Sequence, residues 1–141
     1  MTPEQRAFLE QHRLIVVGLP RKGAAPHLSP VYYAMDGDDI IISTTASRFK
    51  AKAVRRNPQI ALCILGERSP FPYITVYGHA TIEEQGAVDV MAKIGQRMTG
   101  NPVPETARPA LLKRAQDEGR VVLRIRIERF AGSAYTQPTK G

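Results

Sequence analysis

The sequence has one cysteine, no tryptophan and few aromatic residues, which make up 6% of its 141 residues. The single cysteine, Cys63, excludes a disulfide within the chain, and no Cys/His spacing is typical of a zinc site. Because Cys63 lies in the apolar run IALCIL, we interpret it as a small buried core residue. No apolar run is long enough to span a bilayer, and the first residues lack the apolar segment of a signal peptide. These absences predict a cytoplasmic protein with no membrane segment and no metal site.

The net charge of +7 at pH 7 attracts anions, which include nucleic acid, acidic lipids and phosphorylated small molecules. Five of the cations lie within nine residues, and we call residues 48–56 the basic segment: Arg48, Lys50, Lys52, Arg55 and Arg56. Barrels that bind single-stranded nucleic acid interleave such cations with stacking aromatic side chains. The basic segment contains only Phe49 as an aromatic, so nucleic-acid binding is the weaker interpretation.

Alternation of apolar and polar residues predicts six strands, at residues 13–20, 27–36, 40–45, 59–65, 73–82 and 121–130. Helices are predicted at the N-terminus, within residues 47–57, at about 84–98, and at 110–119. Strands joined by tight turns, with helices inserted between them, indicate a mainly β fold: a small closed or split β-barrel with peripheral helices. We expect one domain over residues 1–141, with an irregular tail at about 131–141.

Local signals support several of these elements. Thr2 and Gln5 form a capping-box pattern that predicts a helix start. The segment 20–26 is rich in glycine and proline, which predicts a turn. Pro30 removes a backbone donor from the second strand, which therefore belongs at a sheet edge or bulge. Gly37 supplies the positive φ that the tight hairpin at residues 36–39 requires.

The basic segment is predicted to form a short helix, with Ser47 as the N-cap and Asn57-Pro58 as the end. A helical wheel places most of its cations on one face and its apolar residues on the other. Lys50 is the exception, because it falls between Ala53 and Val54 on the face toward the barrel. A lysine there is costly unless it meets an anion or reaches water.

Hydroxyl side chains precede this helix in the stretch STTAS, which contains Ser43, Thr44, Thr45 and Ser47. Hydroxyls and the free amides of a helix start both suit phosphate oxygens. The order of strand, hydroxyl-rich turn and basic helix therefore predicts a phosphate-binding site centred on Lys50 and Arg48. For Arg55 and Arg56 a solvated helix face is the favoured interpretation.

The segment TTASRFKAKAVRRNP resembles the phosphate-binding loop and helix of the split β-barrel flavin/deazaflavin oxidoreductases. This family includes the pyridoxamine-phosphate-oxidase-like proteins and relatives that use coenzyme F420. HLSPVYYAMDGDDIIIST is similar to the strand and hairpin of the family, and YITVYGHATI is similar to its long G-x-A strand. The order of these motifs covers almost the whole chain.

The resemblance implies roles for ten residues. Arg48 and Lys50 would bind the cofactor phosphate with Lys52 close by, and Thr44 and Thr45 would line the stretch between phosphate and ring. Ser29 and Val31 would approach the ring. A second subunit would complete the site with its own Phe71, Pro72 and Tyr73, although a proline-stiffened loop with an aromatic core contact explains these three equally well.

The resemblance also implies a homodimer, and strand 73–82, apolar on both faces, is typical of a strand covered on both sides.

The expected activity is hydride transfer between coenzyme F420 and a small conjugated substrate such as an enone, quinone or tetrapyrrole-like molecule. Flavin mononucleotide (FMN) is the alternative cofactor, and a non-catalytic haem or cofactor carrier of this fold is a further one. We favour F420 because its acidic tail suits a longer basic track. No catalytic base is assigned; His27 and His79 are possible proton donors, and Tyr32, Tyr33, Tyr77 and Tyr135 are candidate pocket walls.

Overall fold

A computed structural model describes residues 1–132 of the chain. Seven strands are present in this range: β1 Leu14–Arg21, β2 Ala24–Tyr32, β3 Ala34–Asp36, β4 Asp39–Thr45, β5 Gln59–Leu65, β6 Tyr73–Glu83 and β7 Arg120–Gly132. The helices are α1 Pro3–Gln11, α2 Phe49–Arg56, α3 Ala87–Thr99 and α4 Arg108–Glu118, with a short 3-10 turn at Glu105–Ala107. None of the helices in the described range is both long and apolar enough to cross a bilayer.

All seven strands pair antiparallel in one sheet, in the order β2-β1-β5-β6-β7-β4-β3. Strands β2 and β3 follow each other in the chain but lie at opposite edges of this sheet. The sheet must therefore curl until its two edges come together at Tyr33, the single residue that joins β2 to β3. This architecture confirms the predicted split barrel, and it places β2 at an edge, where Pro30 costs no ladder hydrogen bond.

Two predictions about the first half of the barrel were wrong. The predicted second strand, residues 27–36, is divided into β2 and β3 because Tyr33 turns into the core and is fully buried. The predicted turn at residues 20–26 shrinks to Lys22 and Gly23, since β1 and β2 form a tight hairpin that pairs Arg21 with Ala24. The sheet consequently has seven strands rather than six.

The barrel interior is filled by alternate residues of five strands together with two helices. Phe8 and Leu9 of α1 and Ala53 and Val54 of α2 pack into this core, with strand residues such as Ile15, Val17, Ile40, Ile42, Leu62, Ile64, Ile74, Val76, Leu123 and Ile125. Burying a Val, Leu or Ile side chain contributes about 1.5–3 kcal/mol, so this layer is the main source of stability.

A second apolar layer lies on the opposite face of β4 and β7, where Ile41 and Val122 meet α3 and α4. The outer face of β1, β5 and β6 has no such cover within residues 1–132, and it exposes Leu14, Leu65, Tyr73 and Tyr77. Within the described residues, α3 and α4 thus cover the outer face of the sheet at β4 and β7 but not at β1, β5 and β6.

The predicted ends of the chain agree with the structure in part. The Thr2–Gln5 capping box is present, and Gly119 ends α4 in the left-handed conformation with φ 63. Strand β7 continues through Gly132, two residues beyond its predicted end, and the rest of the predicted tail, residues 133–141, lies outside the described residues.

Candidate cofactor site

The turn between β4 and α2 is held by two backbone hydrogen bonds. The Arg48 amide donates to the Thr45 carbonyl at 3.1 Å, and the Ala46 amide donates to the Gly119 carbonyl at 2.9 Å. The first of these bonds encloses Ser47 in the turn, so the helix begins one residue later than predicted. Arg48 is the N-cap of α2 and no side chain caps the helix, which makes the prediction of Ser47 as the cap wrong.

Lys50 lies in the first turn of α2 and is half-buried, whereas Arg48 and Lys52 are exposed. Burial lowers the pKa of the Lys50 ammonium below its ordinary value, and the positive charge of Arg48 lowers it further. Within residues 1–132 the Lys50 ammonium has no carboxylate or hydrogen-bond partner. A cation that loses water without gaining a counter-ion favours an anionic ligand.

Strand β2 directs His27, Ser29 and Val31 to the side opposite Leu28, because successive side chains of a strand alternate. His27 Nδ1 and Ser29 Oγ are buried, and neither atom has a hydrogen-bond partner among the described residues. The ring of His27 lies 4.6 Å from the ring of Phe49, the first residue of α2. This contact joins the polar face of β2 to the start of the helix that carries Lys50.

The two threonines at the end of β4 are both buried, Thr44 at 3% exposure and Thr45 at 6%. Ile42 faces the barrel core and Ile41 faces the helices, so alternation places Thr44 on the barrel face and Thr45 on the helix face. The structure therefore places Thr44, but not Thr45, on the side of the sheet toward His27 and Ser29.

The other cations of the basic segment are exposed to solvent along α2. Arg55 folds back toward the turn, where its Nη1 lies 3.4 Å from the Ala46 carbonyl. Arg48, Lys52 and Arg56 make no ion pair within the described part of the chain, and they form a cationic surface beside Lys50.

Residues 71–73 lie at the other end of the barrel. Helix α2 leads into Gln59 at the start of β5, whereas Tyr73 pairs with Leu65 at its end. Seven strand residues span about 20 Å, so this segment does not line the site of its own chain. Phe71 is 64% exposed and has a φ of 58, and Tyr73 is 41% exposed, so both side chains are accessible from outside.

The histidines and tyrosines named from the sequence have different surroundings. Tyr33 is a core residue rather than a pocket wall: its hydroxyl donates to the Leu9 carbonyl, and burial raises its pKa far above the ordinary value. Tyr77 lies on the uncovered face beneath the Arg129 guanidinium, 4.4 Å away. His79 pairs with Gln59 across the sheet, and Tyr135 lies outside the described residues.

His27 and Phe49 are the members of this site that the sequence did not assign to the cofactor. The signal that points to them is the alternation of β2, which places His27 on the same face as Ser29 and Val31. Their contact across to α2 is a tertiary one, and no local pattern predicts it.

Three donors at this site fit the phosphate of a flavin or deazaflavin cofactor: the Lys50 ammonium, the Ser29 hydroxyl and the His27 imidazole. The fit rests on their state in this structure, in which none of the three has a protein partner among residues 1–132. Of the neighbouring apolar side chains, Val31 packs against the barrel core and Phe49 contacts the His27 ring.

Comparison with known proteins identifies the family of the chain. A sequence profile of the pyridoxamine 5'-phosphate oxidase family matches residues 1–133. The chain belongs to this family. A search of curated proteins finds no match.

Solved structures share the fold of this family member at low sequence identity. A conserved hypothetical protein from Mycobacterium tuberculosis is 23% identical, with a TM-score of 0.80 over 100% of this chain and 91% of that one. An F420 reductase is 20% identical, with a TM-score of 0.70 over 89% and 94% of the two chains. HutZ, a haem storage protein from Vibrio cholerae, is 14% identical, with a TM-score of 0.68 over 92% of each chain. At these identities the likeness shows the fold and does not distinguish the ligands.

Proposed function

We propose that the protein is a cytoplasmic F420-dependent oxidoreductase that transfers a hydride to or from a small conjugated substrate. The observation that carries the proposal is the half-buried Lys50 ammonium without a protein partner at the start of α2, the helix that the His27–Phe49 contact joins to the partnerless polar atoms of β2. A bound deazaflavin would supply the hydride chemistry, and the family supplies the precedent for a redox ring in this barrel.

The residues of this chain would bind, orient and shield the cofactor. Lys50 and Ser29 hold the phosphate, while Thr44 and Val31 line the path from phosphate to ring. Strand β2 is an edge strand, so part of its backbone has no strand partner and can donate and accept hydrogen bonds along a heterocycle. These groups position the cofactor and exclude water from it, and no side chain is needed as a base.

The cationic surface of α2 is the reason for choosing F420. FMN carries one phosphate, which Lys50 and Ser29 can satisfy, whereas F420 continues beyond its phosphodiester into an acidic oligoglutamate tail. Arg48, Lys52 and Arg56 are exposed beside Lys50, where that tail would run. FMN remains the second candidate, since the buried donors suit any single phosphate group.

The uncovered sheet face supports a homodimer. Leu14, Leu65, Tyr73 and Tyr77 are 50%, 56%, 41% and 38% exposed, which is unusual for large apolar side chains that share one face. We propose that a second copy of the chain covers this face. Its residues 71–73 would then complete the cofactor groove of the first copy, a role they do not fill within one chain. Sedimentation of Leu65→Glu tests this: a dimer in the parent chain and a monomer in the variant are expected, and a monomeric parent chain would contradict it.

Titration with F420 and with FMN, each followed by cofactor fluorescence, tests the cofactor assignment. Saturable F420 binding at micromolar concentration, with weaker FMN binding, is the expected result. Tight FMN binding without F420 binding would make FMN, rather than F420, the assigned cofactor. Haem binding alone, seen as a Soret band, would reject the oxidoreductase proposal.

A further inference from the structure

A cavity of about 330 Å³ lies between α3, α4 and β4, on the side of the barrel that the helices cover. Two of its lining residues, Tyr32 and Ser43, are sequence neighbours of Val31 and Thr44 but face the opposite side of their strands, because successive side chains alternate. Its size lies within the range of small-molecule sites in proteins.

The interior of the cavity is apolar and partly preformed. Met91 and Ile94 of α3 line it and are each 8% exposed, and Leu111 of α4 and Val103 line it from the other side. Methionine adapts to ligands of varied shape, whereas the packed isoleucine fixes the wall.

Gly95 keeps the cavity narrow at one end. A Cβ at this position would lie 3.1 Å from Val103 Cγ2, so glycine allows close approach of the chain after α3. A glycine inside a helix costs about 0.5–1 kcal/mol relative to alanine, and the close approach accounts for its presence.

The charged residues that line the cavity are both arginines, Arg114 and Arg120. Both guanidiniums contact the same carboxylate, since the Nε of Arg114 lies 3.3 Å and that of Arg120 2.8 Å from Glu118. Arg120 Nη1 also lies 3.5 Å from Ser43 Oγ. One carboxylate against two guanidiniums leaves a net positive charge and spare N–H donors, a combination that recognises a carboxylate ligand.

We infer that this cavity binds a small apolar molecule carrying one carboxylate. The apolar body lies among Met91, Ile94 and Leu111, and the carboxylate lies at Arg114 and Arg120. The ligand class follows from the cavity alone and does not depend on the proposed function.

Calorimetry on the full chain without cofactor tests the ligand class, with trans-cinnamate as the probe and cinnamyl alcohol as its neutral counterpart. Cinnamate should bind saturably, and at least 10-fold more tightly than the alcohol, because the alcohol lacks the charge that the arginines recognise. Equal affinities, or no cinnamate binding at millimolar concentration, would overturn the inference.

Two neighbouring leucines provide a matched pair of variants. Leu111→Trp fills the cavity and should abolish cinnamate binding, whereas Leu112→Trp, at a side chain that is 48% exposed and outside the lining, should leave it unchanged. Equal binding by both variants would overturn the location. Arg114→Gln is a second probe, and a thermal melt of each variant shows whether it is folded. A folded Arg114→Gln should lose most of the preference for cinnamate over cinnamyl alcohol. Retention of that preference would contradict the role of the arginines.

Parallel titration with F420 separates this inference from the proposed function. F420 binding without cinnamate binding would overturn the pocket and leave the oxidoreductase proposal standing. Cinnamate binding that Leu111→Trp abolishes, with neither F420 nor FMN binding, would support the pocket and reject the proposed function.

Discussion

Replacing Lys50 by alanine is the most direct perturbation of the candidate site. A charge-assisted hydrogen bond of this kind contributes about 1.5–3 kcal/mol, and each 1.4 kcal/mol is a tenfold change in affinity. The dissociation constant for the cofactor should therefore rise roughly 10- to 150-fold. Fluorescence titration of the parent chain and of Lys50→Ala measures this change.

The stability of the same variant gives the opposite expectation. Burial lowers the Lys50 pKa, so the charged side chain is unfavourable in the empty protein and nothing in the described chain compensates it. Thermal melting of Lys50→Ala should consequently be unchanged or slightly higher. Lys113→Ala is the matched control, because Lys113 is an exposed lysine on α4 that pairs with Asp117 at 2.7 Å.

One result would refute this reasoning. A fall of several degrees in the melting temperature, with cofactor affinity equal to that of Lys113→Ala, would make Lys50 a structural residue. The partnerless donors on β2 would then lack the cation that makes them a phosphate site.

Three further predictions concern pH and the barrel itself. Cofactor affinity should fall as pH rises through the Lys50 pKa, which lies below the ordinary lysine value of 10.5. Over the same pH window the contribution of Lys50 to the free energy of unfolding should rise, because the unfolded chain holds more protons than the folded one. Lys50→Arg should move the loss of affinity to higher pH in the same titration. Arg97→Met should lower the free energy of unfolding, measured in urea, by about 1.5–3 kcal/mol. The reason is that Arg97 donates to the Leu9 and Glu10 carbonyls at 3.1 and 3.3 Å and stacks on the Tyr33 ring at 4.9 Å. An unchanged midpoint of the urea transition would contradict this prediction. Gly78→Ala should destabilise by about 1–3 kcal/mol or more, because a Cβ would lie 2.5 Å from the Arg126 carbonyl oxygen, and a neutral result in urea would show that β7 moves easily.

The elements that local patterns encode were predictable from the sequence. The alternation in β7 and the Thr2–Gln5 capping box each involve neighbouring residues, and both elements are present. The break at Tyr33 was not predictable, because the strand pattern continues through it. What stops the strand is the burial of Tyr33 beneath α1, where its hydroxyl donates to the Leu9 carbonyl, and this packing requires the barrel to have closed.

The same distinction runs through the candidate site. Lys50 could be placed by a helical wheel, because a single helix determines which of its residues face the core. The separation of Thr44 from Thr45 follows from which face of β4 the helices cover, and that is fixed by the packing of α3 and α4. A sequence pattern marks both threonines as hydroxyl donors but does not tell which of them faces the barrel.

The candidate phosphate site and the cavity on the helix face thus differ in how they are built. Lys50, Thr44 and the turn between them are a continuous stretch of chain, held by backbone bonds to Thr45 and Gly119. The cavity beside Ser43 is assembled instead from separate elements, among them β2, β4, α3 and α4, and its arginines come from α4 and the start of β7. Substitutions among the cavity residues can therefore alter ligand binding there without disturbing the phosphate donors, since none of the cavity residues supplies one.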